Sequence, residues 1–188
     1  MATSDIFASV GFFVLGALWF MLPAYAANIM PPLLKKIPIL RTPVDFGAKL
    51  KKKPLFGKNK TWRGLIGGTL TGMLVFWIQQ QMYALSFIHK VSLIDYSQQT
   101  IMLGLLLGLG ALVGDLTEST IKRQVNVAPG KPWIPWDQLD FVLGALVFSL
   151  IVIKFYALLW LVILVLSPIL HVITNRIGYL TRFQKNKY

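Results

Sequence analysis

The chain has 188 residues, 55% of them hydrophobic and 14% charged, with a mean hydropathy of +0.63, whereas soluble domains carry about 25% charged residues. That balance describes an integral membrane protein, so the net charge of +12 is explained first by membrane topology, with no nucleic-acid partner expected. The absence of cysteine excludes disulfides, thiolate metal sites and cysteine nucleophiles, and His89 and His171 lie too far from each other and from the acids to suggest zinc.

A membrane span needs about 20 mostly apolar residues. The first expected span covers 6–29, with Ser4 as its N-cap, Pro23 inside it, and Asn28, Pro31 and Pro32 at its end. No Lys or Arg precedes it, so it lacks the basic region of a cleaved signal peptide and reads as a retained span. Asn28 is either an ordinary helix-end residue or a group facing the site or a lipid headgroup.

The segment 30–63 follows as a basic loop holding ten of the 19 Lys and Arg residues. Lys35, Lys36 and the lysines at 51–53 read as topology determinants that attract anionic headgroups. Lys35→Ala is therefore expected to do little to turnover. Lys58 to Arg63 differ, because Asn59 and Thr61 put hydrogen-bonding groups beside Lys60 and Arg63. Such a group can bind phosphates and read a base edge. It is not a P-loop: Asn59 stands where Ser or Thr is required, and Lys52 where a glycine is. Asp45, the only acid in this loop, is either a local ion-pair partner or a contact to a lipid substrate.

The second expected span covers 64–87, with Gly64, Gly68 and Gly72 repeating every four residues. A short polar loop precedes the third span, 100–121, which carries Gly104, Gly108, Gly110 and Gly114. Both are small-residue seams for close helix packing. They serve contacts within one chain or between two, which leaves a homodimer open. Pro129, Pro132 and Pro135 exclude a continuous helix between Gln124 and Trp136. The 39 residues 137–175 are too long for one span, so two are expected, 137–154 and 157–175, joined by a turn near 154–156. A short basic tail begins at Arg176.

With five spans and the N-terminus outside, the inner segments 30–63, 118–136 and 176–188 hold ten, three and four basic residues, leaving only Lys90 and Lys154 outside. The expected fold is an all-α integral membrane protein with five transmembrane helices in one domain, 1–188. Its C-terminus is cytoplasmic, loops 30–63 and 122–136 face the cytoplasm, and a polar active-site cavity opens on that side of the cell membrane.

Four of the seven acids fall in one stretch, as Asp115 with Glu118 and Asp137 with Asp140, each pair at i, i+3 and so able to share a helix face. Ion pairing with Lys122 and Arg123 would account for the first pair, and N-capping would account for Asp137. Acids beside apolar spans are costly, however, and a Mg²⁺ site formed by Asp115, Glu118, Asp137 and Asp140 accounts for all four. Lys122, Arg123 and Lys131 lie between the pairs, which places base for phosphate beside acid for metal. Trp133 and Trp136 read as interface aromatics that could also stack on a base.

The run Gly114-Asp115, Ser119, Lys122-Arg123, followed after a proline-containing linker by Asp137 and Asp140, resembles the signature of the membrane CDP-diacylglycerol synthases. The segment Leu-Phe-Gly-Lys-Asn-Lys-Thr-Trp-Arg-Gly and the linker Pro-Gly-Lys-Pro-Trp are similar to the archaeal branch, the CDP-archaeol synthases. Trp-Ile-Pro before Asp137 and Gln138 after it depart from the bacterial pattern and suit that branch. The resemblance implies a CTP-dependent cytidylyltransferase that acts on an unsaturated archaetidic acid, releases pyrophosphate and requires Mg²⁺. It further implies metal ligation by Asp115, Asp137 and Asp140, and phosphate contacts from Ser119, Lys122 and Arg123. Asn59, Lys60, Thr61 and Arg63 would form the nucleotide-binding loop. An anionic lipid phosphate is its own nucleophile, so the chain needs no Ser, Cys or His for that role. Two rivals share some of these features: an ion or solute transporter, and a polyprenol-type lipid kinase that moves the γ-phosphoryl group. A lipid-binding scaffold would explain the lysines and leave the paired acids unexplained.

Overall fold

The computed structural model describes residues 3–128, 131–154 and 157–180. Six α-helices make up most of it: α1 (Thr3–Leu33), α2 (Trp62–Met82), α3 (Ser86–Val91), α4 (Met102–Gln124), α5 (Trp136–Ser149) and α6 (Ala157–Leu180). A two-stranded antiparallel hairpin, β1 (Lys49–Leu50) with β2 (Lys53–Pro54), lies in the basic segment, so the chain is not strictly all-α.

The helix ends follow local chemistry. Thr61 caps α2, its side chain accepting from the Gly64 amide at 3.4 Å. At the same end of the bundle, α4 stops where Asn126 turns into the left-handed region at φ 65° and Val127 N–H bonds the Lys122 carbonyl at 2.9 Å. The prolines before Trp136 hold α5 to its observed start.

Several boundaries differ from expectation. α1 begins at Thr3, so Ser4 lies inside the helix, and the helix carries Pro23, Pro31 and Pro32 before a 3₁₀ turn at Leu34–Lys36. The second apolar run breaks at Met82 and restarts as the short α3, because the Gln79-Gln80-Gln81 run ends its apolar character. The fourth run yields a helix of only 14 residues, about 21 Å at 1.5 Å per residue, which is shorter than the roughly 30 Å hydrocarbon core. α6 continues through Arg176 to Leu180, where a tail was expected. Of the expected turn, Lys154 is described and non-helical, and 155–156 lie outside the described residues. Among the described residues, two helical segments, Ser9–Lys36 and Met102–Gln124, are both long and apolar enough to cross a bilayer.

The glycine seams are spent inside the chain. A Cβ on Gly72 would sit 2.8 Å from the Gly108 Cα, and one on Gly68 would sit 2.7 Å from the Ala27 carbonyl oxygen. α2 therefore packs backbone to backbone on α1 and α4, and these seams give no support to a homodimer. Phe20, Met21, Phe76, Tyr96, Leu107, Val142 and Leu146 fill the interior between the helices. The outward faces stay apolar and exposed, with Leu15 and Leu22 on α1, Leu70, Leu74 and Trp77 on α2, and Leu161, Val165 and Ile169 on α6. An apolar surface wrapped around a packed interior suits a lipid solvent.

Candidate active site

α4 and α5 meet through a second glycine contact, and this contact builds the site. A Cβ on Gly114 would lie 2.1 Å from the Asp140 carbonyl oxygen, and one on Gly144 would lie 2.1 Å from the Gly110 carbonyl oxygen. With the backbones this close, Asp115 and Glu118 of α4 face Asp140 of α5. One carboxylate oxygen from each of the three falls within 4.8 Å of the others. Gly114→Ala is expected to force the helices apart, cost about 1–3 kcal/mol and lower activity roughly a hundredfold by misplacing the acids. Gly11, with no atom within 4 Å of a built Cβ, supplies the neutral control, Gly11→Ala. Thermal unfolding and turnover of the two variants check this.

Asp137 borders this group without joining it, sharing Lys122 with Glu118. In the first turn of α5 its Oδ1 accepts from Lys122 Nζ at 2.6 Å and its Oδ2 from the Trp133 amide at 2.7 Å. Lys122 is buried and also lies 3.3 Å from Glu118, one helical turn away. The lysine expected at a phosphate thus bridges two acids. Glu118 Oε1, the oxygen facing Lys122, is buried and has that ion pair but no hydrogen bond. Three carboxylates from two helices, each able to turn an oxygen toward the others, fit a hard divalent cation that takes a few protein oxygens and completes its shell with substrate.

The basic segment folds over this cluster. Lys60 Nζ donates to both oxygens of Asp115, at 2.6 and 2.5 Å. Lys58, Asn59 and Lys60, with Asn28 from α1, close a cavity of about 670 Å³ over Asp115, Glu118, Ser119, Lys122, Arg123, Asp137 and Asp140. Lys53 Nζ, 2.6 Å from the Gln124 carbonyl, fastens the hairpin to the end of α4. The loop and the acids, far apart in sequence, are therefore walls of one chamber.

A second cavity of about 600 Å³ adjoins the first at the Lys60–Asp115 pair. It shares Lys58, Asn59, Lys60 and Asp115 with the first, and adds Lys35, Arg41, Thr61 and Arg63 beside the apolar Pro31, Pro32, Leu65, Leu112 and Leu116. Arg63 donates to the Ile37 carbonyl, while its Nε is buried without a hydrogen-bond partner.

The expected residues thus divide between the two chambers. Asn28, Asn59, Lys60, Ser119, Arg123 and all four acids line the first, while Thr61 and Arg63 line only the second. Lys131 is exposed and lines neither. Asp45 makes no ion pair among the described residues. Its partners are the Gly47, Phe56 and Gly57 amides, and it lines neither cavity. Lys35, expected to be a bystander, forms part of a cavity wall, as do Arg41 and Lys58. Nothing in their local sequence separates Lys35 from Lys36.

Residues 11–188 match the family model described as CDP-archaeol synthase, CarS-like. The chain belongs to the CDP-archaeol synthase family. It is therefore an enzyme of the nucleotidyltransferase class and a membrane protein of archaeal lipid synthesis. The CDP-archaeol synthase of Pyrococcus furiosus is 40% identical over 171 residues, 88% of this chain and 93% of that one. The CDP-archaeol synthase of Methanocaldococcus jannaschii is 35% identical over 164 residues, 87% of this chain and 90% of that one. A solved structure described as an intramembrane enzyme for archaeal membrane lipids biosynthesis is similar at a TM-score of 0.70 and 29% identity, covering 86% of this chain and 94% of its own.

Proposed function

We propose that this chain transfers CMP from CTP to the phosphate of an unsaturated archaetidic acid, giving CDP-archaeol and pyrophosphate. The observation that carries the proposal is the pair of adjoining chambers that share Lys58–Lys60 and Asp115. The first is polar, with Asp115, Glu118 and Asp140 at its floor, and suits a nucleotide triphosphate. The second joins cations to an apolar wall and suits a phosphate with lipid tails behind it.

In this arrangement a lipid phosphate oxygen in the second chamber attacks the α-phosphorus of CTP in the first. The bond from that phosphorus to the β-phosphate oxygen breaks, and pyrophosphate leaves. Lys58 and Lys60 sit between the two anions and offset their repulsion. Arg123 and Ser119 reach the triphosphate, and Asn28 lies at the junction with α1. Asp115, Glu118 and Asp140 would hold Mg²⁺, with Asp137 beside them. When bound, Mg²⁺ supplies charge neutralisation at the phosphates and fixes their orientation. The chain's own contribution is to hold attacker and leaving group in line. The sequence pattern, in which a five-span topology would put 17 of the 19 Lys and Arg residues on one side, supports a cytoplasmic site on a multi-pass protein in the cell membrane.

Lys35 now takes a role opposite to the one its sequence suggested. Lys35→Ala together with Arg41→Ala is expected to raise the KM for the lipid about tenfold and leave the KM for CTP unchanged, as read from initial rates in mixed micelles. The proposal as a whole is tested with purified protein, Mg²⁺, an archaetidic-acid-type lipid and each NTP in turn. Pyrophosphate release with CTP supports it. A nucleoside diphosphate product, or no turnover with CTP, refutes it.

A further inference from the structure

The basic segment that roofs the first chamber has no helix to hold it, and residues 55–60 lie outside both the helices and the hairpin. Even so, Lys60 is placed to within hydrogen-bond distance of Asp115. The ties that fix it converge on one neighbouring strand of chain. Asp45 Oδ2 accepts from the Phe56 amide at 2.9 Å and the Gly57 amide at 3.2 Å, and its Oδ1 accepts from the Gly47 amide at 2.9 Å. The Val44 amide bonds the Lys60 carbonyl at 2.8 Å, and Pro43 bridges Thr61. Between these two ties, the Lys60 amide closes a turn onto the Gly57 carbonyl at 3.1 Å, with Gly57 at φ +98°. The turn carrying Lys58, Asn59 and Lys60 is therefore pinned at its start by the Asp45 side chain and at its end by the Val44 backbone.

We infer that Asp45 is a positioning residue for the nucleotide: its carboxylate gathers the amides at 56 and 57 and so presents Lys58, Asn59 and Lys60 to the triphosphate. This rests on the cytidylyl-transfer proposal for that chamber. Asp45 is 8% exposed and lines neither cavity, so it reaches the ligand only through the turn. Burial disfavours the charged carboxylate, but the Phe56, Gly47 and Gly57 amides outweigh it and hold Asp45 below its ordinary carboxylate range. It therefore stays an acceptor at neutral pH. Without it, three amides lose their acceptor, and the lysines must be ordered by the nucleotide at the moment of binding. That cost falls on affinity for the nucleotide.

The test uses the full chain in detergent or nanodiscs, as wild type, Asp45→Ala and Asp45→Asn. Asp45→Ala is expected to raise the KM for CTP and the directly measured CTP dissociation constant about tenfold, with kcat and the lipid KM changed far less. Asp45→Asn keeps one carbonyl acceptor for Phe56 and Gly57 and falls between the two. Hydrogen exchange of the amides at 56–60, measured without nucleotide, is expected to quicken in Asp45→Ala. A rise in lipid KM with CTP KM unchanged would make Asp45 a lipid contact and overturn the proposal. Lower thermal stability with both KM values unchanged would make it structural only, with the same consequence. Unchanged exchange at 56–60 overturns it whatever the nucleotide. Failure of the wild type to release pyrophosphate from CTP would instead defeat the assigned reaction, while the exchange measurement would still report on the turn.

Discussion

Asp115→Asn is expected to lower CTP-dependent turnover about a thousandfold or more while the protein still inserts, purifies and unfolds near the wild-type temperature. Among the described residues, this side chain is the only group shared by three features of the site. It belongs to the acid cluster with Glu118 and Asp140. It holds both hydrogen bonds of Lys60, and it lines both chambers. Asparagine keeps the shape and one acceptor oxygen, so packing against α5 is undisturbed. It loses the charge that a divalent cation requires and the charge that draws Lys60 down from the loop. Turnover and thermal unfolding of the same preparation check the expectation. Activity near wild type would remove Asp115 from the reaction and with it the assignment of the cluster.

Lys122→Met is expected to abolish activity for a different reason, and to destabilise the fold as well. The ammonium is buried between Glu118 at 3.3 Å and Asp137 at 2.6 Å. Removing one member of a buried charged set leaves the others uncompensated, at a cost of about 3–5 kcal/mol. For a chain of this size that lowers the unfolding midpoint by roughly 10 °C. Adding Glu118→Gln to Lys122→Met removes one of the stranded charges, so part of the lost stability returns. Activity does not return, because the cluster has now lost a carboxylate. Calorimetry of the single and double variants reads the first effect, and the CTP assay the second. A double variant less stable than the single would show that Lys122 does not act through Glu118.

The sequence made α4 and its acids easy to read for a physical reason. Hydropathy marks a buried helix, and an i, i+3 carboxylate pair at its end is a local feature that survives folding unchanged. The proline run before Trp136 is equally local. The roof of the chamber was only half legible. Asn59 and Lys60 announced themselves as hydrogen-bonding groups beside a cation, but what holds them is not local. The bonds from Phe56 and Gly57 to Asp45 span 11 and 12 residues, through a segment with no hydrophobic period, and an acid amid lysines looks like an ion-pair partner until its backbone donors are seen. Asp137 shows the limit of spacing arguments. It shares a helix face with Asp140, yet the Trp133 amide and Lys122 draw its carboxylate aside. Gly144 is silent in the sequence because a single glycine in an apolar run carries no repeat. It mattered only once Gly110 was seen against it. The length of α5 was also hidden, since an apolar run of 18 residues does not reveal that its last turn unwinds at Ser149.

The most direct measurement follows the phosphorus atoms of CTP. Purified protein is given Mg²⁺, an archaetidic-acid-type lipid and CTP labelled at either the α- or the γ-phosphate, and the lipid is extracted. CMP transfer puts the α-label into the lipid fraction and releases the γ-label as pyrophosphate. A γ-label in the lipid with the α-label left in CDP would make the chain a lipid kinase and contradict the reaction assigned to the two chambers.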